Sequence, residues 1–306
     1  NPHLVGSLNN LSVLLRGKGE LAEAIELQRK AAAEHPRWGL MHRNLASVLT
    51  QNRQFKEAAE SFQKAIELDT NDVESHYNLG LILSETQSDP ESLAKALVHF
   101  QKAVELQPRF AEAHFSSGNV LYRQNKVDEA IASFRKALEL DPNHARACNN
   151  LASLLGTKGE KEEPIRLYQR AIQVDGNYLE AYRNLAEALL RAGNAAMAGQ
   201  VWQAALTKNP NDLPSLYRLS WLQATHPDPT VRRTFEPVDL AKRGMELTQG
   251  KEPAFLDALA AAHAQAGRFK DAIELVRNAI EMLPDKNSPQ AGALRARLEL
   301  YRDDKP

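Results

Sequence analysis

One cysteine, Cys148, stands in 306 residues, so no internal disulfide framework can staple the chain. An excess of one charge is lacking too: 38 basic and 39 acidic side chains leave a formal net charge of −1. Without a basic block there is no footprint for nucleic acid, and without a polybasic cluster none for anionic lipid. No run approaches the roughly 18 apolar residues of a membrane span. The opening "NPHLVGSLNN" has no methionine, basic start or apolar leader core, and reads as the middle of a protein. Catalytic signatures are missing as well: no G-x-G-x-x-G, Walker sequence, H-E-x-x-H, paired C-x-x-C or G-x-S-x-G. No catalytic residue, metal or cofactor is expected. "NLS" from Asn10 fits a glycosylation sequon, a pattern short enough to arise by chance.

What the chain has is repetition. "AIELDTNDVESHYNLGLIL" from Ala65 returns as "AVELQPRFAEAHFSSGNVL" from Ala103 and "ALELDPNHARACNNLASLLG" from Ala137, then as "AIQVDGNYLEAYRNLAEAL" from Ala171. Ala24, Ala58, Ala96, Ala130, Pro164 and Ala198 are separated by 34, 38, 34, 34 and 34 residues. Ala31, Ala65, Ala103, Ala137, Ala171 and Ala205 repeat those intervals, as do Ser12, Ala46, Gly80, Gly118, Ala152 and Ala186. Each period holds two apolar stripes at helical spacing, divided by a polar break. Gly19, Gly159 and Gly193 sit between the two helices, and Pro36, Pro108, Pro142 and Pro210 close the period. Helix axes approach to about 8–10 Å only where side chains are small. The small-residue series therefore mark close contacts, with Leu45, Leu79, Leu151 and Leu185 filling the space between.

This pattern resembles the tetratricopeptide repeat over nearly the whole chain. The resemblance implies an all-α fold, an α-solenoid wound as a right-handed superhelix of about eight helix–turn–helix repeats. Units are expected at about 5–38, 39–72, 73–110, 111–144, 145–178, 179–212, 213–252 and 253–286, an array over 1–286. Residues 287–306 are expected to form a capping helix and tail, with Ser288 as N-cap and Pro289 at the first helical position. Four extra residues around "SETQSDPESLAK" are expected to lengthen one inter-helix turn. Pro164 and Pro237 are expected in a helical first turn, where a missing N–H costs nothing. The segment from "LYRLSWLQATHPDPTVR" to "FLDALAAAHAQAGRFKDAIELV" is similar to the closing part of many bacterial proteins of this family, which implies a bacterial source. Pro2 stands where a preceding unit would close, so the first repeat is expected to expose an apolar edge. That edge is an expected route to a homo-oligomer, unless the protein continues upstream.

His42, His76 and His114 share one repeat position, followed there by Cys148. Successive pairs stand about 8–10 Å apart, whereas ligands of one zinc lie about 2 Å from the metal. The histidines therefore read as packing residues. Cys148, with no activating base in view, reads as a buried small residue.

The resemblance implies that the first helix of each unit lines a concave surface that binds peptides or partner helices. It places Asn10, Asn44, Asn78, Asn150 and Asn184 on one track, with Ser116 and Arg218 taking that register in the fourth and seventh units. The track resembles the asparagine ladder of O-linked N-acetylglucosamine transferases. A carboxamide both donates and accepts, so it suits a peptide backbone of any sequence; at this position it also commonly ties adjacent helices together. Tyr77, Phe115, Tyr122, Tyr217 and Trp221 are either anchors for a partner or core. Asn119 and Arg183 complete the expected binding set. Glu112 and Ser116 stand where the carboxylate clamp of chaperone-binding relatives needs lysine or arginine, which argues against a chaperone tail.

The expected function is a non-catalytic scaffold for another protein or peptide, with no nucleic acid and no membrane insertion in this segment. Two other readings stand beside it: the substrate-recognition arm of a larger enzyme (glycosyltransferase-like or kinase), and a self-assembly module. Cytoplasm, periplasm and a place within a membrane-anchored protein are all compatible with the sequence.

Overall fold

The computed structural model describes residues 2–86, 89–232 and 236–306. Among the described residues there are seventeen helices and no strand. They are α1 (Pro2–Lys18), α2 (Leu21–Glu34), α3 (Gly39–Gln51), α4 (Phe55–Leu68), α5 (Val73–Thr86), α6 (Pro90–Leu106), α7 (Ala111–Arg123), α8 (Val127–Leu140) and α9 (Ala145–Thr157). After them come α10 (Glu162–Val174), α11 (Leu179–Arg191), α12 (Ala195–Lys208), α13 (Leu213–Thr225), α14 (Glu236–Leu247), α15 (Pro253–Gln265), α16 (Phe269–Met282) and α17 (Pro289–Arg302). The fold class is an all-α solenoid of helix pairs, in two compact units, Asn1–Ala147 and Cys148–Pro306. None of the described helices is long and apolar enough to cross a membrane.

Small residues let the helices of a pair meet. Ala24, Ala58, Ala96 and Ala130 are buried in the first unit, and Pro164, Ala198 and Ala272 in the second. Four residues further along the same helices runs a column of large side chains: Phe62, Phe100 and Phe134, then Tyr168, Trp202 and Val276, all buried. Glycine makes room for the rings. A β-carbon on Gly80 would stand 2.8 Å from the Phe100 ring, and one on Gly118 2.6 Å from Phe134. Burying such a ring contributes about 1.5–3 kcal/mol each, which is why aromatics recur on second helices opposite Gly or Ala on first helices.

The turns inside pairs share one backbone solution. Gly19, Gly159, Gly193 and Gly267 take positive φ between 74 and 89°, and Arg53 and Asn125 take φ of 59 and 60° at the same register. The expected lengthening of the turn within "SETQSDPESLAK" falls on Gln87 and Ser88, which lie outside the described residues. Beyond them α6 has 17 residues against 14 in α4. Asp89 explains the early start of α6, since its carboxylate accepts from Ser92 N at 2.9 Å with Pro90 at the first position. Pro2, read from the sequence as a closing proline, opens α1 instead. In the second unit Ser288 accepts from Ala291 N at 3.2 Å and caps α17, whose Leu294, Leu298 and Tyr301 are buried.

Candidate interaction face

The first helices carry the expected binding residues, and three of their columns do different work. The column of His42, His76 and Tyr182 faces the turn before its own helix. His42 Nε2 lies 3.1 Å from the Pro36 carbonyl, His76 Nε2 3.2 Å from that of Thr70, and Tyr182 Oη donates to Gly176 O at 3.3 Å. A carbonyl only accepts, so each side chain donates across six residues and ties down the inter-pair turn.

One residue further along, the column reaches the next pair. Arg43 Nη1 donates to Asp72 at 2.9 Å. Tyr77 packs its ring 4.7 Å from Phe110, and Phe115 4.4 Å from His144. In the second unit Arg183 Nη1 donates to Asp212 at 3.1 Å. Asp72, Phe110, His144 and Asp212 each immediately precede a first helix. The two aspartates also cap those helices, accepting from Ser75 N at 3.3 Å and Ser215 N at 3.1 Å. At these four positions one register thus clips a pair to the next, by an ion pair at Arg43 and Arg183 and by tilted ring contacts at Tyr77 and Phe115.

Three expected binding residues are occupied in this way. Phe115 is 5% exposed, between Phe134 and His144 with the Arg146 guanidinium 5.0 Å over its ring. Tyr77 is half-buried between Phe100 and Phe110, and burial pushes its hydroxyl above the ordinary tyrosine value. Arg183 is held by the buried Asp212. The sequence signal for the clips was present: positions 43, 77, 115, 149, 183 and 217 keep the 34- and 38-residue intervals, with Asp72 and Asp212 each 29 residues beyond an arginine.

The asparagine track is the next column. Asn10 is exposed, whereas Asn44, Asn78, Asn150 and Asn184 are half-buried. Asn44 Nδ2 is enclosed without a hydrogen-bond partner, and Asn78 Nδ2 donates to Glu74 O at 2.9 Å on its own helix. In the second unit Asn149 joins two members: its Nδ2 donates to Asn150 Oδ1 at 3.3 Å, and its Oδ1 accepts from Asn184 Nδ2 at 2.9 Å. Asn184 therefore ties α11 to α9. Ser116 is buried, and Arg218 pairs with Glu187 at 2.8 Å.

On α7 the track continues into open surface. Asn119 is half-buried, Tyr122 is 56% exposed, and Arg123 Nη1 donates to Ser84 O on α5. Trp221 in the second unit is half-buried with the Arg297 guanidinium 5.0 Å over its ring. That guanidinium is itself held by Asp257, 2.8 Å from Nε, and burial raises the Asp257 carboxyl despite the pairing. Charge on these first helices is largely paired internally, as Arg43 with Glu74 at 3.5 Å and Arg146 with Glu112 at 3.5 Å. The face offers amides and a phenol ring more than a field of one sign.

Family models match in four stretches. TPR repeat models cover residues 46–87 and 118–159, and tetratricopeptide repeat models cover residues 4–35 and 149–212. PilF of Pseudomonas aeruginosa is 21% identical over 69% of this chain and 94% of its own, with a TM-score of 0.60. YrrB, described as a TPR protein with an unusual peptide-binding site, is 20% identical over 62% and 96%, with a TM-score of 0.52. Yeast Tom70 is 20% identical over 92% of this chain and 59% of its own, with a TM-score of 0.51. At these identities the likeness is one of fold. No curated protein matches the sequence.

Proposed function

The chain belongs to the tetratricopeptide-repeat family, and from that premise we propose a non-catalytic scaffold that holds an extended peptide along its first helices. Its role is protein–protein interaction; the peptide mode is the finer reading. The observation that carries it is Tyr122, a large ring 56% exposed on α7, about one helical turn beyond the half-buried amide of Asn119. An exposed phenol beside amides combines apolar area with directional bonds, a pairing frequent in binding hot spots. Amides one helix pair apart, about 8–10 Å, would meet every third residue of a strand rising about 3.3 Å per residue. Affinity from such bonds is modest, about 0.5–1.5 kcal/mol each, so the ring carries the larger share. Tyr77, Phe115 and Arg183 enter this reading as clips that fix the spacing of the amides.

The test uses peptides displayed on phage and selected on the wild-type chain, then titrated by fluorescence anisotropy. Tyr122→Ala together with Asn78→Ala is expected to weaken selected peptides about tenfold or more, with helical content unchanged. Peptides that bind wild type and variant equally would sink the reading.

A further inference from the structure

Each carboxamide on the first helices has a donor end and an acceptor end, and its neighbours decide which end turns inward. In the first unit Asn78 Nδ2 donates to Glu74 O at 2.9 Å. A backbone carbonyl only accepts, so the amide nitrogen is the end held against the helix. In the second unit a carboxylate sets the order. Asn149, 1% exposed on α9, donates from Nδ2 to Glu180 Oε1 at 3.2 Å and accepts at Oδ1 from Asn184 Nδ2 at 2.9 Å. An ionised carboxylate cannot donate, so Glu180 fixes Asn149, and Asn149 in turn fixes Asn184. Glu180 and Asn184 stand four residues apart on α11, which puts both on the side that meets Asn149. Among the described residues neither Asn78 Oδ1 nor Asn184 Oδ1 accepts a hydrogen bond, and neither counts among the enclosed unpartnered atoms. Asn44, whose enclosed Nδ2 meets no acceptor, has no such constraint.

We infer that Asn78 and Asn184 are acceptors toward a bound chain, each taking a backbone N–H, and that Asn149 is the positioning residue that sets Asn184. The inference rests on the peptide reading above and narrows it. Turning Asn184 to offer its nitrogen would set its oxygen against Asn149 Oδ1, and turning Asn78 would set oxygen against Glu74 O. Either rotation trades a hydrogen bond for two acceptors face to face. The bound segment must therefore carry an N–H at the residue each oxygen meets. Proline has none, so a proline at that residue excludes the segment.

The test takes peptides selected on the wild-type chain and replaces each backbone N–H in turn by an ester oxygen, which deletes the donor and keeps the side chain. Anisotropy titrations are expected to show losses of about three- to tenfold at particular positions. In peptides that need Asn184, one such loss should vanish in Asn184→Ala; in peptides that need Asn78, one should vanish in Asn78→Ala. Asn149→Leu frees Asn184 to turn, and should reduce the Asn184-linked loss while losses at other positions persist. A merely structural role would not single out one position. Glu180→Ala, at an exposed position, makes the same test if Asn149→Leu does not fold. An Asn184-linked loss that the variant tested leaves unchanged overturns the inference. Binding that needs either asparagine without a coupled ester loss overturns it too, and leaves the peptide reading standing. Peptides weakened by Tyr122→Ala that need neither asparagine likewise overturn the inference alone.

Discussion

Gly118 shows how little room a single residue has. Its missing β-carbon is the space the Phe134 ring occupies, and that ring is buried on all sides. Gly118→Ala is expected to lower stability by about 1–3 kcal/mol through overpacking, read by urea denaturation. Adding Phe134→Leu should recover part of the loss. Another residue pair ties stability to pH. His76 Nδ1 lies 3.1 Å from His99 Nδ1 while His76 Nε2 faces the Thr70 carbonyl. The carbonyl requires a proton on Nε2, so in the neutral ring Nδ1 is the acceptor and His99 donates to it. Burial lowers both histidines below the ordinary value, His99 to about 4, with Lys102 also lowering His76 and Asp72 opposing. The unfolded chain therefore binds more protons between about pH 6.5 and the folded value. This stabilisation is present above about pH 6.5 and lost as pH falls toward 4. The melting temperature of wild type should fall between about pH 7 and about pH 5, and His99→Phe should reduce that fall.

At the scale of the helix pair, turns and clips decide stability. Arg53 occupies the left-handed backbone position that glycine holds in sibling turns. Arg53→Gly is expected to stabilise by up to about 1 kcal/mol by relieving that conformation, measured as a raised denaturation midpoint. Arg183→Ala leaves the buried Asp212 carboxylate without its guanidinium. A loss of about 1–3 kcal/mol is expected, less than for a fully buried pair because the arginine is itself partly exposed. Asp212 still caps α13 through Ser215, so that helix should persist by circular dichroism. The clip column also explains how Phe115 and Tyr77, open from the sequence as anchor or core, come to be covered. Helical periodicity assigns a side of the helix, but the residue before the next helix covers part of that side.

Across the whole molecule, stability in a repeat array is a sum of local terms and neighbour contacts. Trp202→Ala in α12 removes a buried indole and should cost about 3–5 kcal/mol. Hydrogen exchange should quicken in α11, α12 and α13, whose residues share its cluster, and stay unchanged in α3 and α4. Exchange that quickens uniformly from α3 to α16 would mean that the array melts as one block.

The sequence alone determined the helix pairs, their period and the places where helices meet, because a 34-residue rhythm of small and large side chains has one economical packing. It also carried the cap of α17 at Ser288 and the breaks between paired helices at Gly19, Gly159 and Gly193, where local chemistry suffices. Only the tertiary structure decided which first-helix side chains are free. Phe115, Tyr77 and Arg183 share their helix side with exposed Tyr122, yet each meets a residue 29 to 33 positions away in sequence. The start of α6 was settled there too: Asp89 caps it and Pro90 opens it, so it has 17 residues against 14 in α4. Periodicity reports which way a side chain points, whereas accessibility depends on what the neighbouring pair brings against it.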